Sequence, residues 1–242
     1  MAALRAYLLI DPLILLSTVL MGTLSLIATL FDSTGRVPHK IARLWSRMVL
    51  AVSGVRVRAE GIENILPDAG YVVVSNHVSL MDTPLLLAYL PLQFRFLAKV
   101  SLFKVPFIGY HLSRAGHIPI PRGDARGSAR AMTEAARAIR ERGISALVFP
   151  EGTRSKGELQ EFKEGAAYIA IKAAAPVLPV AIQGSGKVLP SGSILVRPGR
   201  VSLRVGDPIP TAGLTLHDRG RLTQQVRDRI LDLLSAPVQS AA

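Results

Sequence analysis

From residue 55 onward, short apolar runs rich in β-branched residues alternate with longer stretches of helical periodicity. Such short runs are typical of strands, and the periodic stretches between them are typical of helices. The predicted strands are Val55–Ala59, Tyr71–Ser75, Phe94–Ala98, Ile144–Phe149, Val177–Ile182, Ile194–Arg197 and Val201–Val205. The predicted helices are Pro84–Leu90, Ser128–Arg142, Gly165–Ala174 and His217–Leu234. This alternation predicts an α/β fold with a mostly parallel central sheet flanked by helices.

The first 54 residues follow a different pattern. Leu13–Phe31 contains 19 residues without a charge, close to the roughly 20 that a helix needs to cross a bilayer. Asp11 and Pro12 predict an N-cap and a first helical residue, and Asp32–Gly35 predicts the end of the helix. A cleaved signal peptide is the alternative, but the run is long for one and no clear basic segment precedes it. We therefore divide the chain into N-terminal membrane-binding helices, residues 1–54, and a second domain, residues 55–242.

A second N-terminal helix is predicted from His39 to Ser53. Its apolar side chains fall on one stripe at helical spacing; they are Ile41, Leu44, Trp45, Met48, Val49 and Val52. Lys40, Arg43 and Arg47 lie off that stripe. An ordinary amphipathic helix packed on the domain is one interpretation, whereas the positive face and the tryptophan favour a helix at the level of lipid headgroups. The two helices together predict a membrane-associated helical hairpin.

The charge of the chain indicates an anionic partner. A net charge of +12 attracts nucleic acid, phosphorylated substrates or an anionic membrane surface. The basic residues are scattered except between residues 36 and 58, where no acid interrupts them, directly after the most apolar stretch. Aromatic residues, which nucleic-acid-binding proteins use for stacking, make up only 5% of the chain. A membrane therefore fits better than nucleic acid. The absence of cysteine excludes disulfides, thiolate nucleophiles and cysteine-based zinc sites.

The segment Ser75–Asp82 joins a predicted strand to a predicted helix. His77 lies just past the strand, while Thr83 and Pro84 predict the N-cap and the first residue of the helix. Asp82 is then free of the capping role and able to turn back on the imidazole. A histidine held by a carboxylate is the arrangement of a general base. A surface histidine beside a capping aspartate explains the same spacing equally well.

A second polar segment, Phe149–Ser155, follows the predicted strand Ile144–Phe149. It therefore lies at the carboxyl end of a strand, where α/β sheets bind ligands. Arg154 in this segment is suited to bidentate phosphate binding, and Gly152 would let a ligand approach the backbone. A plain surface turn explains the same residues about as well, as long as the segment is considered without His77 and Asp82. Arg122 ends another apolar run and is either a second phosphate ligand or a solvated loop arginine. The remaining histidines show no metal-ligand spacing.

Together these segments resemble the glycerolipid acyltransferase family, specifically 1-acylglycerol-3-phosphate acyltransferases of the PlsC type. The first family block, H-x4-D preceded by Asn, stands at Asn76–Asp82. The third, F-P-E-G-T-R-S, is complete at Phe149–Ser155, and the fourth is similar to Val177–Ile182. The blocks fall in family order, and the resemblance spans roughly residues 55 to 210.

The second family block departs from the usual pattern. Pro119 and Pro121 stand where the family usually has Phe and Asp, while Arg122 is retained. The resemblance therefore implies phosphate binding by Arg122 but leaves the acceptor lipid open. Lysolipids other than lysophosphatidate, including lyso-ornithine lipid, are the alternatives.

The resemblance implies transfer of a fatty acyl group from acyl-CoA or acyl-carrier protein to the sn-2 hydroxyl of 1-acylglycerol-3-phosphate, giving phosphatidate. His77, oriented by Asp82, would be the general base, and Arg122 and Arg154 would hold the acceptor phosphate. The other residues assigned to the substrate-site loops are Asn76, Lys99, Glu151, Gly152 and Thr153. No metal and no redox cofactor are implied, and the lack of a cysteine and of a G-x-S-x-G serine disfavours an acyl-enzyme.

Two rival classes and two membrane topologies follow from the same residues. The rivals are a membrane-anchored lipid-binding or scaffolding protein, whose motifs are structural only, and a nucleic-acid-binding protein. If the apolar run spans the bilayer, the positive charge after it predicts a cytoplasmic catalytic domain and an external N-terminus. The family resemblance implies instead a two-helix motif that enters one leaflet and returns. We expect this monotopic arrangement, on the cytoplasmic face of the cell membrane.

Overall fold

The computed structural model describes residue 8 and residues 10–66, 69–105, 107–121, 123–155 and 157–236. Seven strands form one sheet in the order β1-β7-β6-β2-β5-β3-β4. They are β1 Val55–Glu60, β2 Val72–Ser75, β3 Phe94–Lys99, β4 Ile118–Ile120, β5 Ser145–Val148, β6 Val177–Gln183 and β7 Gly199–Val205. Within these residues five strand pairs are parallel, and the β6–β7 pair is antiparallel. The predicted α/β fold with a mostly parallel sheet is confirmed.

Helices cover both faces of the sheet. The described residues contain α1 Asp11–Ala28, α2 Arg36–Val52, α3 Asp82–Tyr89, α4 Ile108–Arg114, α5 Ala125–Arg142, α6 Gly165–Ala173, α7 Ser185–Val188 and α8 Arg219–Ser235. Successive side chains of a strand point to opposite faces. Val73 of β2 accordingly joins the core beneath α2 and α3. Its neighbours Val72 and Val74 join the core beneath α5, α6 and α8. The sheet is therefore the middle of three layers.

The two N-terminal helices form a hairpin that is fixed to the sheet. Val49 and Leu50 of α2 are buried in the same core as β2. The indole nitrogen of Trp45 donates to Thr18 Oγ1 across the hairpin, at 3.1 Å. The hairpin and the α/β unit thus share one core. The division of the chain after residue 54 therefore stays a prediction that the two parts have different roles.

Four helices begin earlier than the sequence patterns predict. Helix α5 starts at Ala125 rather than Ser128, because the Asp124 side chain caps it by accepting the Gly127 N–H. Helix α1 starts at Asp11 with Ile10 as its cap, so the prediction of Asp11 as N-cap is wrong. Helix α3 starts at Asp82 rather than after Thr83, because the Asp82 carboxylate accepts the backbone N–H groups of the preceding turn. Helix α2 starts at Arg36 rather than His39. The Asp32 carboxylate accepts a backbone N–H from the first turn of α2, which organises that turn.

The predicted strand Ile194–Arg197 is wrong, and β4 and the short helices α4 and α7 were not predicted. Ile194–Arg197 runs as a loop whose Arg197 N–H donates to the Val188 carbonyl. Pro119 lies within β4, and prolines on either side of an isoleucine hide a strand from pattern analysis. Strand β4 tolerates Pro119 because it is the edge strand of the sheet.

Candidate active site

One edge of the sheet collects the carboxyl ends of five strands. Strands β2, β3, β4, β5 and β6 all run in the same direction. His77 follows β2, Lys99 ends β3, and Glu151 follows β5, so all three lie at this edge. In open α/β sheets the carboxyl edge is where ligands bind.

His77 and Asp82 are in direct contact at this edge. The imidazole Nδ1 lies 2.9 Å from Asp82 Oδ2. The same oxygen accepts the backbone N–H groups of Val78 at 2.7 Å and Ser79 at 2.8 Å, and Asp82 is fully buried. Because Oδ2 accepts both N–H groups, it is the acceptor toward the imidazole as well, so Nδ1 carries the ring proton and Nε2 carries the free lone pair. This is the tautomer that a general base requires.

The loop after β5 holds His77 from the other side. The Phe149 ring stacks on the imidazole, and the two ring centroids are 4.0 Å apart. Glu151 Oε1 accepts the His77 backbone N–H at 2.7 Å, and Ser155 N–H donates to the His77 carbonyl at 2.8 Å. The second Glu151 oxygen accepts from Gln160 N–H at 3.2 Å. Glu151 therefore ties the two polar segments together.

The Glu151 carboxyl is buried, with 4% of the residue exposed. Burial raises the pKa of Glu151 above its ordinary value, and the N–H donors of His77 and Gln160 oppose that rise. The position of Glu151 is structural: its oxygens are occupied by backbone donors.

Asn76 and Ser79 fix the loop that carries His77. The Asn76 amide makes two hydrogen bonds to the backbone of Ile182, at 2.8 and 2.9 Å. Ser79 Oγ donates to the Leu189 carbonyl at 2.7 Å. Both side chains are buried, so they act on the loop from behind, through β6 and the segment after α7.

The other predicted site residues have different surroundings. Gly152 has a φ of 74°, a conformation that favours glycine. Beside it Thr153 is exposed, Arg154 is half-buried, and Lys99 is exposed at the end of β3. Arg122 lies outside the described residues. The structure thus brings together His77, Asp82 and the Phe149–Ser155 segment, and it leaves the assignments of the two arginines and Lys99 as predictions.

Phe149 and Lys163 were not singled out as site residues from the sequence. Phe149 belongs to a recognised motif, but its stacking on His77 is visible only in three dimensions. A Cβ placed on Gly152 would lie 3.0 Å from Lys163 Nζ, so Lys163 puts a further cation beside the turn. No spacing in the sequence indicates that contact.

An apolar cavity of about 320 Å³ lies beneath the hairpin. It is lined by side chains of α1 to α4 and β3, including Met21, Trp45, Thr83, Leu87 and Leu112. Three histidines also line it, and burial lowers the pKa of each, to about 4 for His39 and about 3 for His117, with His111 lowered as well. The lining histidines are therefore neutral at pH 7. The cavity reaches helix α3, which begins with Asp82.

Across the described residues, no three His, Asp or Glu side chains are grouped as a metal site. The absence of a metal requirement stays a prediction. Helix α1 is long and apolar enough to cross a membrane, with a mean hydropathy of 1.7, which suggests membrane association.

Comparison with known proteins places this geometry in context. The family model described as Acyltransferase matches residues 56–183. A chloroplastic 1-acyl-sn-glycerol-3-phosphate acyltransferase of Arabidopsis thaliana is 36% identical over 184 residues, which cover 74% of this chain and 51% of that protein. The human 1-acyl-sn-glycerol-3-phosphate acyltransferase alpha is 32% identical, over 79% of this chain and 68% of that protein. The chain thus spans about half the length of the plant relative.

A solved structure is similar over the full chain. The crystal structure of the 1-acyl-sn-glycerophosphate acyltransferase PlsC from Thermotoga maritima is 28% identical, with a TM-score of 0.79. The match covers 99% of this chain and 100% of that one. The N-terminal hairpin is therefore included in the similarity.

Proposed function

The chain belongs to the acyltransferase family, and on that premise we propose that it moves a fatty acyl group from an acyl thioester to the sn-2 hydroxyl of 1-acylglycerol-3-phosphate, giving phosphatidate. The observation that carries the proposal is the His77–Asp82 contact of 2.9 Å at the carboxyl edge of the sheet. The names of the plant and human relatives support the choice of acceptor.

The reaction is a direct transfer. His77 Nε2 takes the proton of the acceptor hydroxyl while the hydroxyl oxygen attacks the carbonyl carbon of the thioester. The carbon–sulfur bond then breaks, and the departing thiolate takes the proton from the imidazolium. Asp82 stabilises the imidazolium that forms in between. A thioester is reactive enough for a positioned base to contribute about 10²–10⁴-fold. The donor is acyl-CoA or acyl-carrier protein, and no metal or redox cofactor takes part.

Arg154 and Arg122 hold the acceptor phosphate. Arg154 stands three residues after Glu151, which fixes its loop directly to His77. A guanidinium binds a phosphate through two parallel hydrogen bonds, so an arginine here would set the distance between the headgroup and the base. The nearby Lys163 adds positive charge on the same side of the loop.

The apolar cavity beneath the hairpin suits an acyl chain. Its lining is dominated by apolar side chains, and its histidines are neutral at pH 7. The guanidinium of Arg95, also in the lining, is occupied by the carbonyls of Phe94 and Thr34. Thr83 and Leu87 connect the cavity to the helix that carries Asp82.

The hairpin attaches the enzyme to the cytoplasmic face of the membrane in a monotopic arrangement. Much of α1 is exposed and apolar, with leucines such as Leu15, Leu16 and Leu20 more than half exposed. Helix α2 packs on the sheet with one face and carries Lys40, Arg43 and Arg47. Exposed apolar residues beside basic ones suit the boundary between acyl chains and anionic headgroups.

A different acceptor is the second candidate function. Pro119 and Pro121 depart from the usual second family block, next to Arg122. Both prolines lie in or beside the edge strand β4, at the same carboxyl edge as His77. These two departures from the family block, beside Arg122, support another lysolipid acceptor, such as lyso-ornithine lipid, acylated by the same chemistry.

One assay tests both candidates. Purified protein is incubated with a panel of lysolipids and with each donor in turn, and the products are identified by mass. Phosphatidate formed from 1-acylglycerol-3-phosphate supports the first candidate, and a diacyl product from another lysolipid alone supports the second. Lysolipid binding by folded protein without any product would contradict acyl transfer and support the lipid-binding rival.

A further inference from the structure

A second set of exposed apolar side chains lies outside the hairpin, in the segment that follows β3. We call residues 100–110 the rim segment; Pro106 within it lies outside the described residues. Six of its large apolar side chains are between 36% and 58% exposed, whereas Phe103 is half-buried. The six are Val100, Leu102, Val105, Phe107, Ile108 and Tyr110. Water-soluble proteins rarely expose so many neighbouring apolar side chains, and such patches indicate a partner or a membrane.

The rim segment lies at the carboxyl edge of the sheet, where His77 is. Because β3 is parallel to β5 and β5 to β2, the residues after Lys99 leave the sheet at the same edge as His77. Leu80, three residues beyond His77, is another exposed leucine at this edge. The exposed apolar residues therefore lie on the side of the molecule where the substrates must enter.

The rim segment is also continuous with α1. Helix α4, which includes Ile108 and Tyr110, packs against α1. A Cβ placed on Gly22 would lie 2.7 Å from Phe107 Cζ, so only a glycine in α1 lets the Phe107 ring come this close. The exposed leucines of α1 and the rim segment thus belong to two elements that pack on each other.

The positive charge around the rim segment indicates an anionic partner. The sequence contains no acid between Asp82 and Asp124. Lys99 and Lys104 are exposed at either end of the first turn of the segment. Exposed aliphatic and aromatic side chains beside lysines are typical of elements that insert shallowly into an anionic bilayer, where the lysines reach the headgroups.

We propose that the rim segment inserts into the same leaflet of an anionic phospholipid bilayer as α1, so that the catalytic domain itself contacts the membrane. This inference rests on the membrane attachment proposed above and adds a second contact, next to α1 and at the carboxyl edge of the sheet. With both contacts made, the carboxyl edge of the sheet faces the lipid surface.

Site-specific fluorescence on the full chain tests the proposal. The chain has no cysteine, so single cysteines can be introduced and labelled with an environment-sensitive fluorophore. The positions are Tyr110→Cys on the rim segment, Leu20→Cys on α1, and Leu66→Cys as the matched control. Leu66 is equally an exposed apolar residue, at 64%, but it lies between β1 and β2 at the opposite edge of the sheet.

Vesicles of phosphatidylglycerol and phosphatidylcholine should shift the emission to the blue and raise it severalfold at positions 20 and 110, with no change at position 66. Brominated acyl chains should quench the same two labels. A response to vesicles at position 20 with none at position 110 overturns the proposal. A response at position 110 to acidic acyl-carrier protein, but not to vesicles, overturns it as well, because the rim segment would then bind a protein. No response at any position contradicts the membrane attachment itself. Acyl transfer in detergent is measured separately, so a failed membrane contact can be told apart from a failed enzyme activity.

A second measurement uses unlabelled variants. Leu102→Ser with Tyr110→Ser should lower the partition coefficient onto anionic vesicles about tenfold, since two apolar side chains no longer enter the bilayer. The same variant should raise the KM for acceptor embedded in vesicles and leave that for a short-chain, water-soluble acceptor unchanged. Leu66→Ser is the control. Equal partition of both variants would contradict insertion of the rim segment.

Discussion

The imidazole of His77 lies nearly parallel to the ring of Phe149, with the planes 16° apart and the centroids 4.0 Å apart. The stacking fixes the plane of the imidazole, and the Asp82 carboxylate at 2.9 Å fixes its rotation within that plane. The two restraints come from different loops, one after β2 and one after β5. Together they keep Nε2 in one direction without occupying it.

Replacement of His77 by alanine should lower kcat at least about 10²-fold, because the general base is lost. The fold should remain, since the side chain contributes little to the core. The measurement is turnover with 1-acylglycerol-3-phosphate and acyl-CoA, alongside thermal unfolding. His217→Ala, which alters an exposed histidine in the turn before α8, is the matched control. Wild-type turnover in His77→Ala would contradict the mechanism.

Asp82→Asn and Asp82→Ala should separate catalysis from stability. Asparagine keeps an oxygen for the Val78 and Ser79 N–H groups but removes the charge that stabilises the imidazolium, so kcat should fall at least about 10²-fold with the fold retained. Alanine also leaves the partly buried Val78 N–H and the buried Ser79 N–H without an acceptor, at a cost of up to about 1–3 kcal/mol each. Urea unfolding and turnover on both variants check this. An asparagine variant with normal kcat would show that Asp82 has only a structural role.

Glu151 makes a pH-dependent contribution to stability. Burial raises its pKa above the ordinary value of 4.5. As pH rises from about 4.5 through the higher folded value, the folded state has to ionise a buried carboxyl, whereas the unfolded state has already done so. The free energy of unfolding of the wild type should therefore fall relative to Glu151→Gln across that window, and the difference should be constant above it.

Urea unfolding of both proteins between pH 4 and pH 7 measures this difference. Glutamine also disturbs the hydrogen bond to Gln160 N–H, so a constant offset between the two proteins is expected. Only the change of the difference with pH tests the prediction. A wild type that gained stability relative to Glu151→Gln as pH rose would show that the N–H donors outweigh burial.

Arg154→Ala and Arg122→Ala should each raise the KM for the phosphate-bearing acceptor. Loss of one charge-assisted contact costs roughly 1.5–3 kcal/mol, which corresponds to a roughly tenfold to hundredfold change. The KM for the thioester donor should change little. Arg130→Ala, on the exposed face of α5, is the control for the loss of a positive charge. Unchanged acceptor KM in both variants would reassign the two arginines as surface residues.

The sequence was most informative where function depends on local spacing. Four residues lie between His77 and Asp82, and this short spacing allows one loop to bring the carboxylate back to the imidazole. The order of apolar runs was likewise enough to predict the sheet, because each strand is a short and distinct unit. The exceptions have local causes, such as the prolines that obscure β4.

Contacts between distant segments were not predictable in the same way. Asn76 binds the backbone of Ile182, 106 residues away, and Ser79 binds that of Leu189, 110 residues away. The Phe149 stack on His77 is of the same kind. Such contacts depend on which strands become neighbours, and β2 lies between β6 and β5 although neither is adjacent to it in sequence.

Helix α1 can either cross the membrane or lie within one leaflet. Its 18 residues form a helix about 27 Å long, close to the roughly 30 Å thickness of the hydrocarbon core. However, the hairpin is attached to the catalytic domain along its length: Trp45 of α2 donates to Thr18 near the middle of α1, and the Arg114 guanidinium donates to the Thr29 carbonyl just beyond its end. If α1 crossed the bilayer, Arg114 and the basic face of α2 would be drawn into hydrocarbon with it, at a cost of several kcal/mol for each charge.

We therefore expect both ends of the chain to be in the cytoplasm. The cysteine-free chain allows a single cysteine at Ala2 to be probed in intact cells with a membrane-impermeant thiol reagent. Little labelling is expected until the cells are permeabilised, and the labelling that then appears proves that the thiol is reactive. Strong labelling of intact cells would mean that α1 spans the membrane. The contacts of α1 with Trp45 and Arg114 would then have to break when the protein inserts, because neither partner can follow the helix across.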